Sequence, residues 1–133
     1  MTKEKIIALR IEPHKHPEII ELPPNKQALL TALNIGADIE GEIEAQILEP
    51  HVYAIYNDLR CMTGFDGNRR LGKDIIAGTF YVIATDKQSH PCSMPEDIIK
   101  KYVFRFWDVE VFDDMELIEA NLDIMFGAHN RFE

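Results

Sequence analysis

The sequence predicts an α+β fold, a mostly antiparallel sheet of about five strands with helices packed on one face, and three observations carry that prediction. Short segments in the first half of the chain alternate apolar and polar residues, as in KIIALRIE, EIIEL and IEGEIEAQIL. A near-apolar run rich in β-formers follows, from Ile75 to Ala84. After Cys92 the apolar spacing changes to that of a helix.

Taken in order, Lys5 to Glu12 reads as a strand with Ile7, Leu9 and Ile11 on one face and Ile6, Ala8 and Arg10 on the other. The stretch PHKHP, Pro13 to Pro17, holds two prolines that fix φ and remove donors. The chain therefore reverses there and returns through Glu18 to Leu22 as the second strand of a hairpin, with His14 and His16 at its tip. Two histidines without a third and fourth ligand read as an exposed turn rather than a metal site. Asn25 is placed to cap a short helix, KQALLTALN, which Gly36 would end. Next, Ile39, Ile43, Ala45 and Ile47 alternate with Glu40, Glu42, Glu44 and Gln46, the pattern of a half-buried strand with an acidic outer face. Glutamates spaced about 7 Å apart along a strand read as a solvated row rather than a cation site.

Val52 to Tyr56 is the next expected strand, joined to its predecessor by a turn at Pro50 and His51. A polar loop follows, punctuated by Gly64, Gly67 and Gly72, with Asp66-Gly67 as a turn signal. Ile75 to Ala84 is expected as one strand, the last and most buried, at the centre of the sheet, with Gly78 at a bulge or close backbone approach. Ser93 and Glu96 have the spacing of a capping box. The helix they would open carries Ile98, Ile99, Tyr102, Val103, Phe106 and Trp107 as a broad apolar stripe. Asp113 or Asp114 would start a second helix with a seam of Met115, Ile118, Leu122 and Met125, which either caps its own core or closes a dimer.

At 133 residues and 46% hydrophobic content, the chain suits a single α+β domain over residues 1–107 and an acidic helical extension over residues 108–133. The net charge is −9, and eight acids against Arg131 from Asp108 onward account for −7 of it. The other 107 residues are nearly balanced, which argues against direct nucleic-acid binding, since counterion release needs a basic face. The apolar run before Arg10 is too short for a secretory signal, and no run approaches the roughly 20 residues of a membrane span. A cytoplasmic protein with no membrane association is expected. Cys61 and Cys92 form no CxxC pair, and the expectation is two free thiols acting as small apolar side chains.

Where polar side chains gather, chemistry is most plausible, and that is the connection from Tyr56 to Asp74. Asn57, Asp58, Asn68 and Arg69 are the candidate ligand-binding residues: the asparagines offer donors and acceptors together, and arginine offers a planar fork for carboxylate or phosphate. The opposing reading is that Asn57 and Asn68 bond the backbone of their own loop while Arg69 pairs with Asp58 or Asp66. Nothing in the chain marks a catalytic residue, a metal or a cofactor. An enzyme would have to draw its base from Asp58, Asp66 or Asp74.

The alternating hairpin, the IEGEIE strand, Asn57 with Asp58, Asn68 with Arg69, the run Ile76-Ala77-Gly78-Thr79-Phe80 and the MPEDIIKKY helix together resemble a known family. It is the domain-of-unknown-function family DUF3846, found in proteins of bacteria, phages and conjugative elements, and the resemblance runs from about Lys5 to Phe106. The resemblance implies no established activity, catalytic residue or cofactor, and it does not reach the tail. It does imply a mobile-element setting, where small acidic proteins act as decoys for DNA. Two functions are therefore expected in order: a non-catalytic binding module for a small anionic ligand or a protein partner through the Asn57/Asn68/Arg69 loop, then an acidic DNA mimic. The mimic would use the tail with Glu40, Glu42 and Glu44 to meet a basic protein partner.

Overall fold

The structure, a computed structural model, describes residues 5–25, 43–57, 67–72, 74–112 and 115. The helix expected after Asn25, the start of the IEGEIE strand, the connection from Asp58 to Asp66 and the tail beyond Met115 lie outside the described residues.

Alternation at the start of the chain produces β1 (Ile6–Ile11), and the PHKHP turn, with His14 at φ 65°, returns it as β2 (Glu18–Leu22). Next come β3 (Ile43–Glu49) and β4 (Val52–Asn57), joined through Pro50 and His51, whose φ of 68° closes the tight reversal. The two strands pair in the expected antiparallel way, with a register shift between Ile47 and Glu49.

The apolar run from Ile75 to Ala84 is not one strand. It divides at Gly78, which adopts φ 74°, into β6 (Asp74–Ala77) and β7 (Phe80–Thr85). β6 pairs with β5 (Gly67–Leu71) in a separate two-stranded sheet closed by Gly72 at φ 63°, while β7 enters the main sheet. The positive φ is why the break falls at glycine, since a side chain there would meet the following carbonyl. A short β8 (Pro91–Cys92) folds back on β7.

The main sheet thus has six strands rather than about five, in the order β2-β1-β7-β4-β3 with β8 beside β7. All of its described pairings are antiparallel, and β7 holds the centre as expected. Leu9, Val82 and Ala54 stand in one cross-strand row, and Arg10, Tyr81 and Ile55 in the next row point to the opposite face.

One helix is described along its whole length, α1 (Glu96–Arg105), and Met115 is helical as well, so the broad α+β class holds. The capping box does not form. Pro95 occupies the N-cap with no side-chain bond, and the Ser93 hydroxyl instead accepts the N–H of Ile7 at 2.9 Å. Met94 N–H donates to Ile7 C=O at 3.0 Å, so the approach to α1 runs alongside β1 as a short extended segment.

The core follows the two faces. Leu9, Ile11, Val52, Ala54, Phe80 and Val82 pack with Leu71 and Ile76 of the small sheet and with Met94, Tyr102 and Phe106. Phe106 meets Phe80 edge-on at 5.3 Å, a favoured arrangement of ring quadrupoles. On the other face Ile6, Ala8, Leu22, Ile55 and Ile83 form a smaller cluster with Ile20, Tyr53 and Tyr81.

Candidate functional site

Asn68 and Arg69 sit side by side on β5, and both are turned inward, at 0% and 1% exposure. Asn68 Nδ2 donates to the carbonyls of Ile11 at 2.7 Å and Gly78 at 2.9 Å, which ties the small sheet to β1 and to the break between β6 and β7. Arg69 Nε donates to Phe106 C=O at 3.0 Å, and Nη2 to Lys15 C=O at 2.6 Å. Its Nη1 donates to the backbone and side-chain oxygens of Asn68 at 3.1 and 2.8 Å. Burial pulls the guanidinium below its ordinary pKa, and the nearby charges of Glu110 and Asp108 act in the opposite direction. An arginine is the residue that can do this, because its planar fork reaches several fixed acceptors while remaining charged.

Asn57 ends β4 opposite Ile43, and its side chain and Asp58 lie outside the described residues. The structure therefore brings together two of the four sequence-derived residues, and it makes them a bolt between the β1–β2 turn and the end of α1. The possible bases Asp58 and Asp66 are outside the described residues, as is the side chain of Asp74.

That bolt has a neighbour on the surface. One residue along each of the bolted segments, the ring of His16 stacks on Trp107 with centroids 4.0 Å apart and planes 7° from parallel. His16 Nδ1 lies 2.7 Å from Trp107 C=O, an oxygen that can only accept, so Nδ1 carries the proton. Trp107 so fixed ends a groove of about 500 Å³ between β2 and α1, lined by Ile19, Ile99, Lys100, Val103, Phe104 and Trp107. Ile19 is 61% exposed, Phe104 85% and Trp107 47%, although all three are large and apolar. The one cation in the lining, Lys100, lies 3.2 Å from Glu96.

Sequence reasoning missed this groove, though the signal was present. Ile98, Tyr102 and Phe106 at i, i+4 and i+8 are enough to face a core, and Ile99, Val103 and Trp107 repeat that spacing one position on, with Phe104 beside them. A stripe that broad has more apolar width than one sheet face covers.

Elsewhere, Tyr102 OH and Lys101 Nζ each approach Glu49 Oε1 at 2.7 Å. The two partners hold the Glu49 carboxyl below its ordinary pKa, and burial with the Glu49 bond pushes the Tyr102 phenol up to about 12. Cys92 is half-buried, and burial raises its thiol pKa, the opposite of an activated nucleophile. Among the described residues no group of three or more His, Cys, Asp or Glu is arranged to hold a metal ion, and no helix is long and apolar enough to cross a membrane.

With the bolt and groove in view, the comparisons define the class. The chain matches the family model Domain of unknown function (DUF3846) over residues 5–106, and it belongs to that family. The match takes in β1 through α1 and the Asn68–Arg69 pair, and ends at Phe106, one residue short of Trp107. No curated protein and no solved structure matches the chain.

Proposed function

We propose that this domain is a non-catalytic binding module that receives a protein partner in the groove between β2 and α1. The observation that carries the reading is the convergence of three exposed large apolar side chains, Ile19, Phe104 and Trp107, on one cleft. Apolar surface gathered in this way is what a partner covers, whereas isolated exposed apolar residues need no explanation. Covering a side chain such as Phe104 contributes about 2 kcal/mol, enough for one such contact to matter in a binding constant.

A small anionic ligand at Asn57, Asp58, Asn68 and Arg69 is the weaker reading. An anion at Arg69 would have to displace the carbonyls of Phe106 and Lys15 that already accept its N–H groups. The acidic-mimic reading rests on the charge count and the mobile-element resemblance, since Glu40, Glu42 and the tail acids other than Asp108 and Glu110 lie outside the described residues.

Selection from a display library of random decapeptides tests the groove. Peptides enriched on the protein should lose about tenfold or more in affinity on Phe104→Asp, because a charge replaces a covered ring. The melting temperature should hold, since Phe104 is already in water. Equal binding to the variant would place the partner elsewhere.

A further inference from the structure

We infer that the groove's occupant is an extended, basic peptide segment that adds as a strand to the outer edge of β2. The inference rests on the groove reading above and names the partner's chemistry.

The direction of the backbone groups comes from β1. Ile7 donates its N–H to Ser93 and accepts from Met94 at its C=O, so both groups point away from β2. Backbone direction alternates along a strand, so Ile6, Ala8 and Arg10 point toward β2, opposite Leu22, Ile20 and Glu18. The same alternation in β2 turns the N–H and C=O of Ile19 and Glu21 outward. Among the described residues β2 pairs with β1 alone. An incoming strand meets two donors, and Pro17 and Pro23, which have no N–H, bound that stretch at either end.

Ile19 lies opposite Leu9, on the face that α1 also covers, so the outward-facing backbone and the groove wall belong to the same residue. A strand laid along β2 would therefore direct every second side chain toward Phe104 and Trp107. This is the arrangement in which main-chain bonds give affinity and alternate pockets give selectivity.

Charge chooses the occupant. The edge carries Glu21, exposed on the groove face, and Glu18, which Arg10 meets at 3.3 Å on the opposite face, and exposed Asp108 follows Trp107 at the groove's end. A second copy pairing β2 with β2 would bring two sets of edge glutamates together, the like-charge arrangement that keeps sheet edges apart. In a segment alternating apolar residues with lysine or arginine, the apolar ones face the wall with Ile19, and the basic ones fall on the opposite face beside Glu18.

The probe is an alternating lysine–valine decapeptide, read by amide exchange on the full chain. Its binding should slow exchange at Ile19 and Glu21 by about tenfold or more, and Phe104→Asp should abolish the effect. N-methylation of every second peptide residue, in either phase, should weaken binding in one phase only, and a glutamate–valine counterpart should not bind. Binding that leaves Ile19 and Glu21 unprotected, or is indifferent to N-methylation, overturns strand addition while leaving the groove intact if Phe104→Asp still removes it. No binding by the lysine–valine peptide also overturns strand addition, and the library selection then decides the groove separately.

Discussion

Arg69 illustrates how a residue that looks like a ligand hook becomes part of the frame. Its Nε, Nη1 and Nη2 reach four oxygens, three of them backbone carbonyls. Arg69→Met would leave these acceptors buried without a donor, a loss of about 3 kcal/mol or more, and urea unfolding should reveal it. Arg69→Lys keeps the charge but not the fork, so part of that loss should remain. The choice of Asn68 and Arg69 as special was legible in the sequence, because polar residues near a glycine-rich turn stand out. Their inward direction was not, since their partners Ile11, Lys15 and Phe106 lie 57, 54 and 37 residues away. A local pattern carries no trace of acceptors that only the tertiary fold delivers.

Glu49 and Tyr102 give the chain a pH signature at the same scale. Glu49 has a folded pKa below its unfolded value, so its contribution is present above about pH 4.5 and is lost as pH falls through the folded value. Tyr102 is the reverse case: its folded pKa is raised from 10.0 to about 12, so its contribution is present below pH 10 and fades as pH rises toward 12. Tyr102→Phe should cost about 1 kcal/mol at neutral pH, for the bond to Glu49, and should flatten the alkaline limb of melting temperature against pH. An unchanged alkaline limb would mean that the phenol is not the group titrating there.

Among the elements, β1, β2 and β3 were legible because alternation has a period of two. In β3, however, Ala45 and Ile47 face outward and Leu48 packs on the core, the reverse of the expected faces, and β8 was not expected. The break at Gly78 was not legible, because Ile75 to Ala84 is apolar throughout and gives no phase to lose. Ser93 shows the same limit from the other side. Its spacing to Glu96 fits a cap, yet its hydroxyl accepts Ile7 N–H because the segment before α1 runs beside β1 where the pairing with β7, which begins at Leu9, does not reach Ile7. Ser93→Ala should therefore cost about 1 kcal/mol and speed amide exchange at Ile7, with helical circular dichroism unchanged. A capping role would instead show as lost helix content.

At the scale of the whole molecule, the bolt and the groove are one construction. Arg69 joins Lys15 to Phe106, and the next residues along, His16 and Trp107, stack to close the groove's end. The groove's end is therefore held by a buried residue that does not line the groove. This yields a paired prediction: Arg69→Lys should lower both stability and affinity for groove-selected peptides, whereas Phe104→Asp should lower affinity alone. The extension touches the small sheet through Glu110, whose Oε2 accepts Arg70 N–H at 3.0 Å, and its further acids add charge to the chain. Replacing Asp113, Asp114, Glu116, Glu119 and Asp123 by their amides removes five of the negative charges while leaving every groove residue in place. At about 0.15 M salt the screening length is about 8 Å, so where the groove residues carry the binding, loss of these charges should alter peptide affinity no more than about threefold, chiefly through the association rate. Titration calorimetry of the amide variant against the lysine–valine peptide checks this. A much larger loss would move the binding surface from the groove to the tail, and would favour the acidic-mimic reading instead.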